Sequence, residues 1–191
     1  MRRSPVTGLL PLVLMLSLAA ITFWLEQAVQ SPVATSDATK RHDPDLVISN
    51  FTSIRHGAGG VPTYSLRAQK MVHYPDNEMT YLEEPRIASF SPDAPPTRIT
   101  AREAELSKNG NEAFFYGNVV VSREASKEQP ELRVTTEHLW IDQKSDTAHT
   151  NDPVVIVQGA SILKGVGLDA NRKERTFILR SQARGTFVRQ K

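Results

Sequence analysis

The sequence predicts an all-β domain built from repeated bent hairpins. Four windows that start at Met71, Ala104, Leu139 and Leu168 align without a gap, and their starts are 33, 35 and 29 residues apart. A period of this size indicates a repeated supersecondary unit. Within each window apolar and polar side chains alternate, which is the period of a strand rather than of a helix. We therefore expect long hairpins that pack as two facing sheets.

Composition narrows the class of protein. The 191 residues carry a formal charge of +2 and are 39% hydrophobic, which suits one domain with an accessory segment. No block of Lys and Arg is dense enough to predict binding to nucleic acid. The chain has no cysteine, which excludes disulfides and thiolate metal sites but fits a reducing or an envelope compartment.

The N-terminal segment predicts a membrane anchor. Residues 9–25 are free of charge and follow Arg2 and Arg3, so we expect a transmembrane helix at 9–25 with residues 1–8 in the cytoplasm. A cleaved signal peptide with small residues at Ser17-Leu18-Ala19 is the alternative. The anchor is favoured because Ile21 to Leu25 continue the apolar run. Residues 26–45 are polar and predict a linker.

The β domain is expected at residues 46–191. Strand patterns cover Leu46 to Ile54 and Thr63 to Val72, with a glycine-rich turn at His56 to Gly60. That turn is no phosphate cradle, because a strand rather than a helix follows it. Four polar clusters predict the hairpin turns of the repeats: Pro75 to Glu78, Lys108 to Asn111, Gln143 to Asp146 and Arg172 to Arg175.

A bend is predicted at the same place in each repeat. The inward-facing positions shift by one residue, which predicts a β-bulge and a sheet that folds over on itself. The shift falls between Ala68 and Met71, between Ala101 and Ala104, and between Thr136 and Leu139. On the returning strand Pro85, Asn118 and Pro153 share one slot, which Gln182 matches poorly.

The polar residues predict no catalytic, metal or cofactor site. The five histidines lack zinc-site spacing. Glu83 and Glu84 point to opposite faces of a strand, and Glu103 and Glu105 lie beside a turn, so neither pair suggests acid–base hydrolysis. No Ser, His and Asp set stands out. We expect a binding protein and not an enzyme.

The repeated apolar face has two interpretations, a filled sandwich core or a groove that binds an apolar ligand. The N-terminal anchor and linker favour the groove. Our hypothesis assigns to its lining nine residues of common parity: Leu66, Leu82, Ile99, Phe115, Val119, Val121, Val134, Leu139 and Ile156.

Several motifs resemble the LptC family of lipopolysaccharide export proteins over nearly the full chain. They are Tyr64-Ser65-Leu66-Arg67-Ala68, His73-Tyr74, Pro85, Tyr116-Gly117-Asn118-Val119 and Gly165-Val166-Gly167-Leu168-Asp169. Similar motifs occur in the soluble relative LptA and in the N-terminal domain of LptD. The expected anchor favours LptC.

The resemblance implies a twisted, open β-jellyroll in the periplasm, tethered to the inner membrane. Such a protein receives lipopolysaccharide from the ABC transporter complex of LptB, LptF and LptG and passes it to LptA. Two alternatives stay open. One is a soluble LptA-like carrier, and the other is a structural scaffold that joins its partners without binding lipid.

An open jellyroll leaves an unpaired strand at each end, where a partner can add a strand. We predict that the first strands join the transporter through Val47, Phe51 and Ile54. We predict that the last strand, Phe177 to Val188, receives LptA. Its contact residues are Phe177, Leu179, Thr186, Phe187 and Val188.

Overall fold

The computed structural model describes residues 6–29, 42–92, 94–127 and 129–188. The chain divides into two compact units, residues 1–41 and 42–191. The described part of the first unit is one α-helix, α1 (Val6–Val29), whose side chains from Val13 to Ala28 are exposed. Most of the expected linker at 26–45, and most of the expected cytoplasmic segment at 1–8, lie outside the described residues.

Helix α1 covers residues 9–25, where the sequence predicts a membrane anchor. Within the described part of the chain, no helix combines the length and the apolar character that crossing a membrane requires.

The second unit confirms the all-β prediction. Its described residues form eleven strands: β1 (Leu46–His56), β2 (Pro62–Tyr74), β3 (Met79–Glu83), β4 (Arg86–Ser91), β5 (Ala94–Thr100), β6 (Glu103–Leu106), β7 (Glu112–Arg123), β8 (Leu132–Asp142), β9 (Thr147–Gln158), β10 (Ser161–Asn171) and β11 (Thr176–Thr186). Each of the four predicted polar clusters connects two consecutive strands as a turn.

All of these strands belong to one antiparallel sheet, as expected of a sheet that bends over on itself. The pair β3 and β4 lies end to end along β2, and β5 and β6 lie end to end along β7. Since β3 pairs with β6 and β4 with β5, the path is a meander of long, interrupted or bent strands. The sheet therefore has two arms joined at the bends, and their buried side chains pack together.

The bends lie where the sequence predicted, but the extra residue does not. Ala101 and Ala104 are both buried, which confirms the shift of inward positions. The register between β7 and β8 breaks between Tyr116 and Val119, which puts two residues of β7 opposite one of β8. The bulge therefore belongs to the returning strand.

Positive φ angles mark these bends. Gly117 and Asn118 have φ angles of 74° and 52°, in the left-handed region that Gly and Asn tolerate best. Glu84 and Gln182 have φ angles of 49° and 51° in the corresponding slots. The fourth repeat thus keeps the bend, although its sequence matches the slot poorly.

The inward side chains form two core clusters. The large cluster contains nine buried residues from β2 to β8: Ala68, Leu82, Ile87, Ala101, Ala104, Ala113, Phe115, Val119 and Leu139. The small cluster contains three, Val154, Ile156 and Leu168. Between them the buried Thr136 hydroxyl donates to the carbonyl of Pro153 at 3.1 Å, so this polar group is satisfied.

Candidate functional site

The nine residues predicted to line a groove do share one side of the sheet, which we call the inner face. Five of them are buried: Leu82, Phe115, Val119, Leu139 and Ile156. The other four, Leu66, Ile99, Val121 and Val134, are partly buried and pack against one of the two clusters. Their common orientation is confirmed, and lipid binding by them stays a prediction.

The strand register joins inner-face residues into a continuous apolar track, which we call the long row. It crosses seven strands through residues that are direct cross-strand partners: Leu66, Ile87, Ile99, Val121, Val134, Ile156 and Leu163. At roughly 4.8 Å per strand the track is about 29 Å long. It passes from the large cluster to the small one and so runs from β2 to β10, one strand short of each edge of the sheet.

The other arm carries a second track, the short row. It runs through Ile48, Met71, Leu82, Ala104, Phe115 and Leu139. It stops near β9, because the register between β8 and β9 is broken between Thr135 and Trp140.

The sequence hypothesis missed Ile87 and Leu163. Only the pairing of strands reveals that they continue the long row.

The inner face is packed in this structure. Phe115 is 2% exposed and Val119 is fully buried. A cavity of about 570 Å³ lies at the bends of β2, β4 and β5, but none of the nine predicted residues lines it. The filled-core interpretation therefore describes this form of the protein. An acyl chain can reach the buried residues only if the two arms move apart.

The four half-buried members of the predicted groove are not spread evenly. Leu66, Ile99, Val121 and Val134 all lie on the long row, whereas Leu82, Phe115 and Leu139 on the short row are buried. The long row thus offers half-buried positions beside the buried Ile87 and Ile156, whereas the predicted residues on the short row are all buried. An apolar ligand would displace fewer packed side chains there.

Both ends of the sheet are free edges in the described residues. Strand β1 pairs with β2, and β11 pairs with β10. Val47, Ile54 and Phe177 are exposed, as an edge contact requires. Phe51 packs partly against the large cluster and Leu179 against the small one, so each fixes its edge strand to the core.

The last strand is shorter than predicted. It ends at Thr186, so Phe187 and Val188 lie beyond the ladder. The backbone N–H of Val188 donates to the side-chain hydroxyl of Ser161 at 3.1 Å, where a ladder would use a backbone carbonyl. Phe187 and Val188 are both exposed.

Four histidines each pair with one aspartate through Nδ1. The pairs are His42 with Asp76, His73 with Asp45, His138 with Asp152 and His149 with Asp169, at 2.9, 2.7, 2.6 and 2.7 Å. The sequence alone did not predict these pairs, because each histidine and its aspartate are far apart in the chain and are brought together by strand pairing. In the described ranges no cluster of three or more His, Asp or Glu could hold a metal ion.

These contacts favour the charged form of two carboxylates. The hydrogen bonds from Arg180 and then from His149 hold the pKa of Asp169 far below its usual range. The hydrogen bond from His42 lowers the pKa of Asp76. Burial raises the pKa of the Tyr64 hydroxyl, so that group stays protonated. The charged groups thus act as ties between neighbouring strands.

Comparison with known proteins gives a family match. A profile described as lipopolysaccharide-assembly, LptC-related, matches residues 12–188. The lipopolysaccharide export system protein LptC of Escherichia coli K12 is 21% identical over 176 residues, which cover 92% of this chain and 91% of the relative. The protein of the same name from Shigella flexneri gives the same values.

A solved structure shares the fold. It is LptH of Pseudomonas aeruginosa, described as the LptA-homologous periplasmic component of the conserved lipopolysaccharide transport device. The match has a TM-score of 0.50 at 8% identity and covers 79% of this chain and 99% of that chain. The antiparallel sheet described above therefore resembles an LptA-like fold.

Proposed function

The chain belongs to the LptC-related family of lipopolysaccharide-assembly proteins, and from this premise we propose that it carries lipopolysaccharide on its inner face. It takes the lipid from the inner-membrane ABC transporter complex of LptB, LptF and LptG and passes it to LptA in the periplasm. The family consists of non-enzymatic transport components, so the chain is not an enzyme.

The long row is the observation that carries this proposal. It offers a continuous apolar track from β2 to β10, next to the two edge strands where a donor and an acceptor would bind. Each methylene of an acyl chain that leaves lipid for water costs about 0.8 kcal/mol. An apolar track removes most of that cost, so the protein need supply no chemistry of its own.

Lipid entry proceeds by separation of the arms along the long row. Its half-buried side chains, Leu66, Ile99, Val121 and Val134, are the first to contact acyl chains. The buried Phe115 and Leu82 follow as the arms open further. Acyl chains replace the side-chain contacts that the arms lose, so opening is coupled to the presence of lipid.

Two adjacent valines on β7 provide a matched test of lipid binding on the inner face. Val121 lies on the long row, and Val120 pairs with Thr100 and Thr135 on the opposite face. A photo-crosslinking residue at position 121 should capture lipopolysaccharide in energised membranes, and the same residue at position 120 should not. Equal capture at both positions, or none at 121 while lipid is being transported, would contradict the proposal.

A scaffold that joins partners without holding lipid is the second candidate, and the packed inner face favours it. The purified full chain separates the two functions. A carrier retains radiolabelled lipopolysaccharide through gel filtration, and Val121→Asp weakens that retention while Val120→Asp does not. A scaffold binds its partners and retains no lipid in either case.

The two edge strands receive different partners. Strand β1 joins the periplasmic part of the transporter by strand addition, and β11 joins LptA. Deletion of residues 185–191 removes Gly185 and Thr186, the partners of Leu163 and Ile162 in the ladder. The deletion should abolish co-purification of LptA and leave transporter binding intact. Loss of both partners, or of neither, would contradict the assignment of edges.

Helix α1 keeps the domain at the inner membrane. Its apolar side chains from Val13 to Leu25 are exposed and need an apolar partner, and the family profile begins inside this helix at residue 12. Alkaline extraction and intact mass test this attachment. The full-length mass in the membrane pellet supports it. A soluble chain that begins at Ala20 would instead identify an LptA-like carrier released by cleavage.

A further inference from the structure

Four arginines surround the cavity of about 570 Å³ at the bends. Arg67 lies on β2, Arg86 on β4 and Arg98 on β5, and Arg102 lies in the bend that follows β5. All four are exposed. Their neighbours Leu66, Ile87 and Ile99 belong to the inner face, so the first three arginines point to the outer face. The function proposed above does not use this outer face.

The charges at this cavity are unbalanced. Arg67 and Arg86 are direct cross-strand partners, an arrangement that destabilises a sheet when the two charges are alike. Of the described residues that line the cavity, only Glu84 is acidic. The chain as a whole is nearly neutral, with 23 basic and 21 acidic residues, so the excess is local. A bound anion would remove the repulsion.

The partners of Arg67 and Arg98 differ in charge. Arg67 donates from Nε to the hydroxyl of Thr52 at 3.2 Å, which orients its side chain without neutralising it. Arg98 donates to Glu124 at 2.7 Å, and this acid lies outside the residues that line the cavity. The guanidinium groups of Arg67 and Arg86 are therefore the principal uncompensated charges. Planar guanidinium forks bind phosphate oxygens in pairs.

We infer that this arginine cluster binds the phosphate of an anionic phospholipid head group at a membrane surface. Arg67, Arg86 and Arg98 lie on the outer face, and Ile87 is the one member of the long row that also lines the cavity, so the charged cluster is distinct from the acyl-chain track. A lipid surface is the source of phosphate that suits this chain, because helix α1 exposes apolar side chains from Val13 to Leu25. The inference does not depend on lipopolysaccharide binding.

A soluble, short-chain phospholipid tests the site on the full chain in neutral detergent. Dihexanoylphosphatidylglycerol should shift the backbone amide resonances around Arg67 and Arg86 and saturate. Dihexanoylphosphatidylcholine should not. The double variant Arg67→Gln/Arg86→Gln should bind the anionic lipid roughly tenfold more weakly, since each basic residue near an anionic surface adds a few-fold in affinity.

The control variant is Arg172→Gln/Arg175→Gln, which removes the same charge from an exposed turn far along the chain. It should bind like the unmodified protein, and thermal unfolding should show that both double variants are folded. Equal weakening in the two variants, or no saturable response, overturns the site. Binding of inorganic phosphate as tight as that of the lipid overturns the lipid assignment. Loss of lipopolysaccharide retention in Arg67→Gln/Arg86→Gln would reassign the cluster to the transported lipid.

Discussion

The two ends of the sheet differ in how firmly they are held. The large cluster has nine buried residues and nine partly buried neighbours, whereas the small cluster in the described residues has three and four. In β11 all positions except Leu179 are exposed. Local stability follows the density of buried contacts. The part of the sheet around the large cluster is therefore the more firmly packed part, which we call the rigid base, and the part from β9 to β11 is the less firmly packed one.

Truncation of one core residue in each cluster should give the largest difference. Phe115→Ala removes a buried aromatic ring from the large cluster and should lower the free energy of unfolding by about 3–5 kcal/mol. Ile156→Ala in the small cluster should cost less, about 2 kcal/mol, because the surrounding strands can relax into the space. Chemical denaturation of the full chain measures both. Equal costs would show that the two ends are equally well packed.

Replacement of a glycine at the bends by alanine should give the next largest loss of stability. A methyl group on Gly117 would meet Cβ of Arg102 at 3.0 Å, and the φ angle of 74° is unfavourable for alanine. Gly110 lies in a turn with a φ angle of 62° and open space around it. Both changes to Ala incur the backbone cost of about 1–2 kcal/mol. Only Gly117→Ala adds the steric cost.

The difference in stability between the two variants isolates the steric contact at the bend. Denaturation should rank Gly117→Ala below Gly110→Ala in stability. Gly167→Ala should resemble Gly117→Ala, because its methyl group would meet the Cδ of Arg180 at 3.0 Å with a φ angle of 76°. If Gly110→Ala proves as costly as both, contact at the bends has no part in fixing the register.

The smallest effect should come from the carboxylate that ties β10 to β11. Arg180 donates to Asp169 at 2.6 and 2.8 Å, and His149 pairs with it at 2.7 Å. Because these contacts lower the pKa of Asp169, its contribution is present above the ordinary value of 3.8 and is lost as the pH falls through the lower, folded-state value.

The measurement is the difference in unfolding free energy between the unmodified protein and Asp169→Asn. We expect a constant difference from pH 7 to about pH 5 and a decline only in stronger acid. Asp76→Asn is the matched change in the first half of the domain, where His42 is the main cause of the lowered pKa. It should give the smaller difference at neutral pH. A difference that grows in acid would contradict a lowered pKa of Asp169 in the folded protein.

The sequence predicted local features better than those that depend on register. Alternation along Thr97 to Ala101 and the polar turns at Asn109 and Ser145 are local signals, and the structure confirms them. Ile87 and Leu163 join the long row only through cross-strand pairing, which no short window contains. The same is true of the opposition of Arg67 and Arg86.

The bends show why the sequence does not predict which strand carries the extra residue. The shift between Ala101 and Ala104 reveals that a residue is out of phase, but not which strand carries the extra residue. That depends on backbone conformation at Asn118 and Gln182, whose positive φ angles have little sequence signature outside Gly and Asn. A single continuous sheet follows from bends of this kind, which the sequence pattern locates without assigning the extra residue to a strand.

The proposal that lipid reaches the inner face of the rigid base is tested most directly by two adjacent phenylalanines. Phe115 is buried in the large cluster, while Phe114 packs on the opposite face with its ring 6.3 Å from that of Trp140. A photo-crosslinking residue should be placed at each position in turn in cells that export lipopolysaccharide. We expect capture of lipopolysaccharide at position 115 and none at position 114. Capture at 114 alone, or at neither position while export continues, would show that the inner face is a closed core.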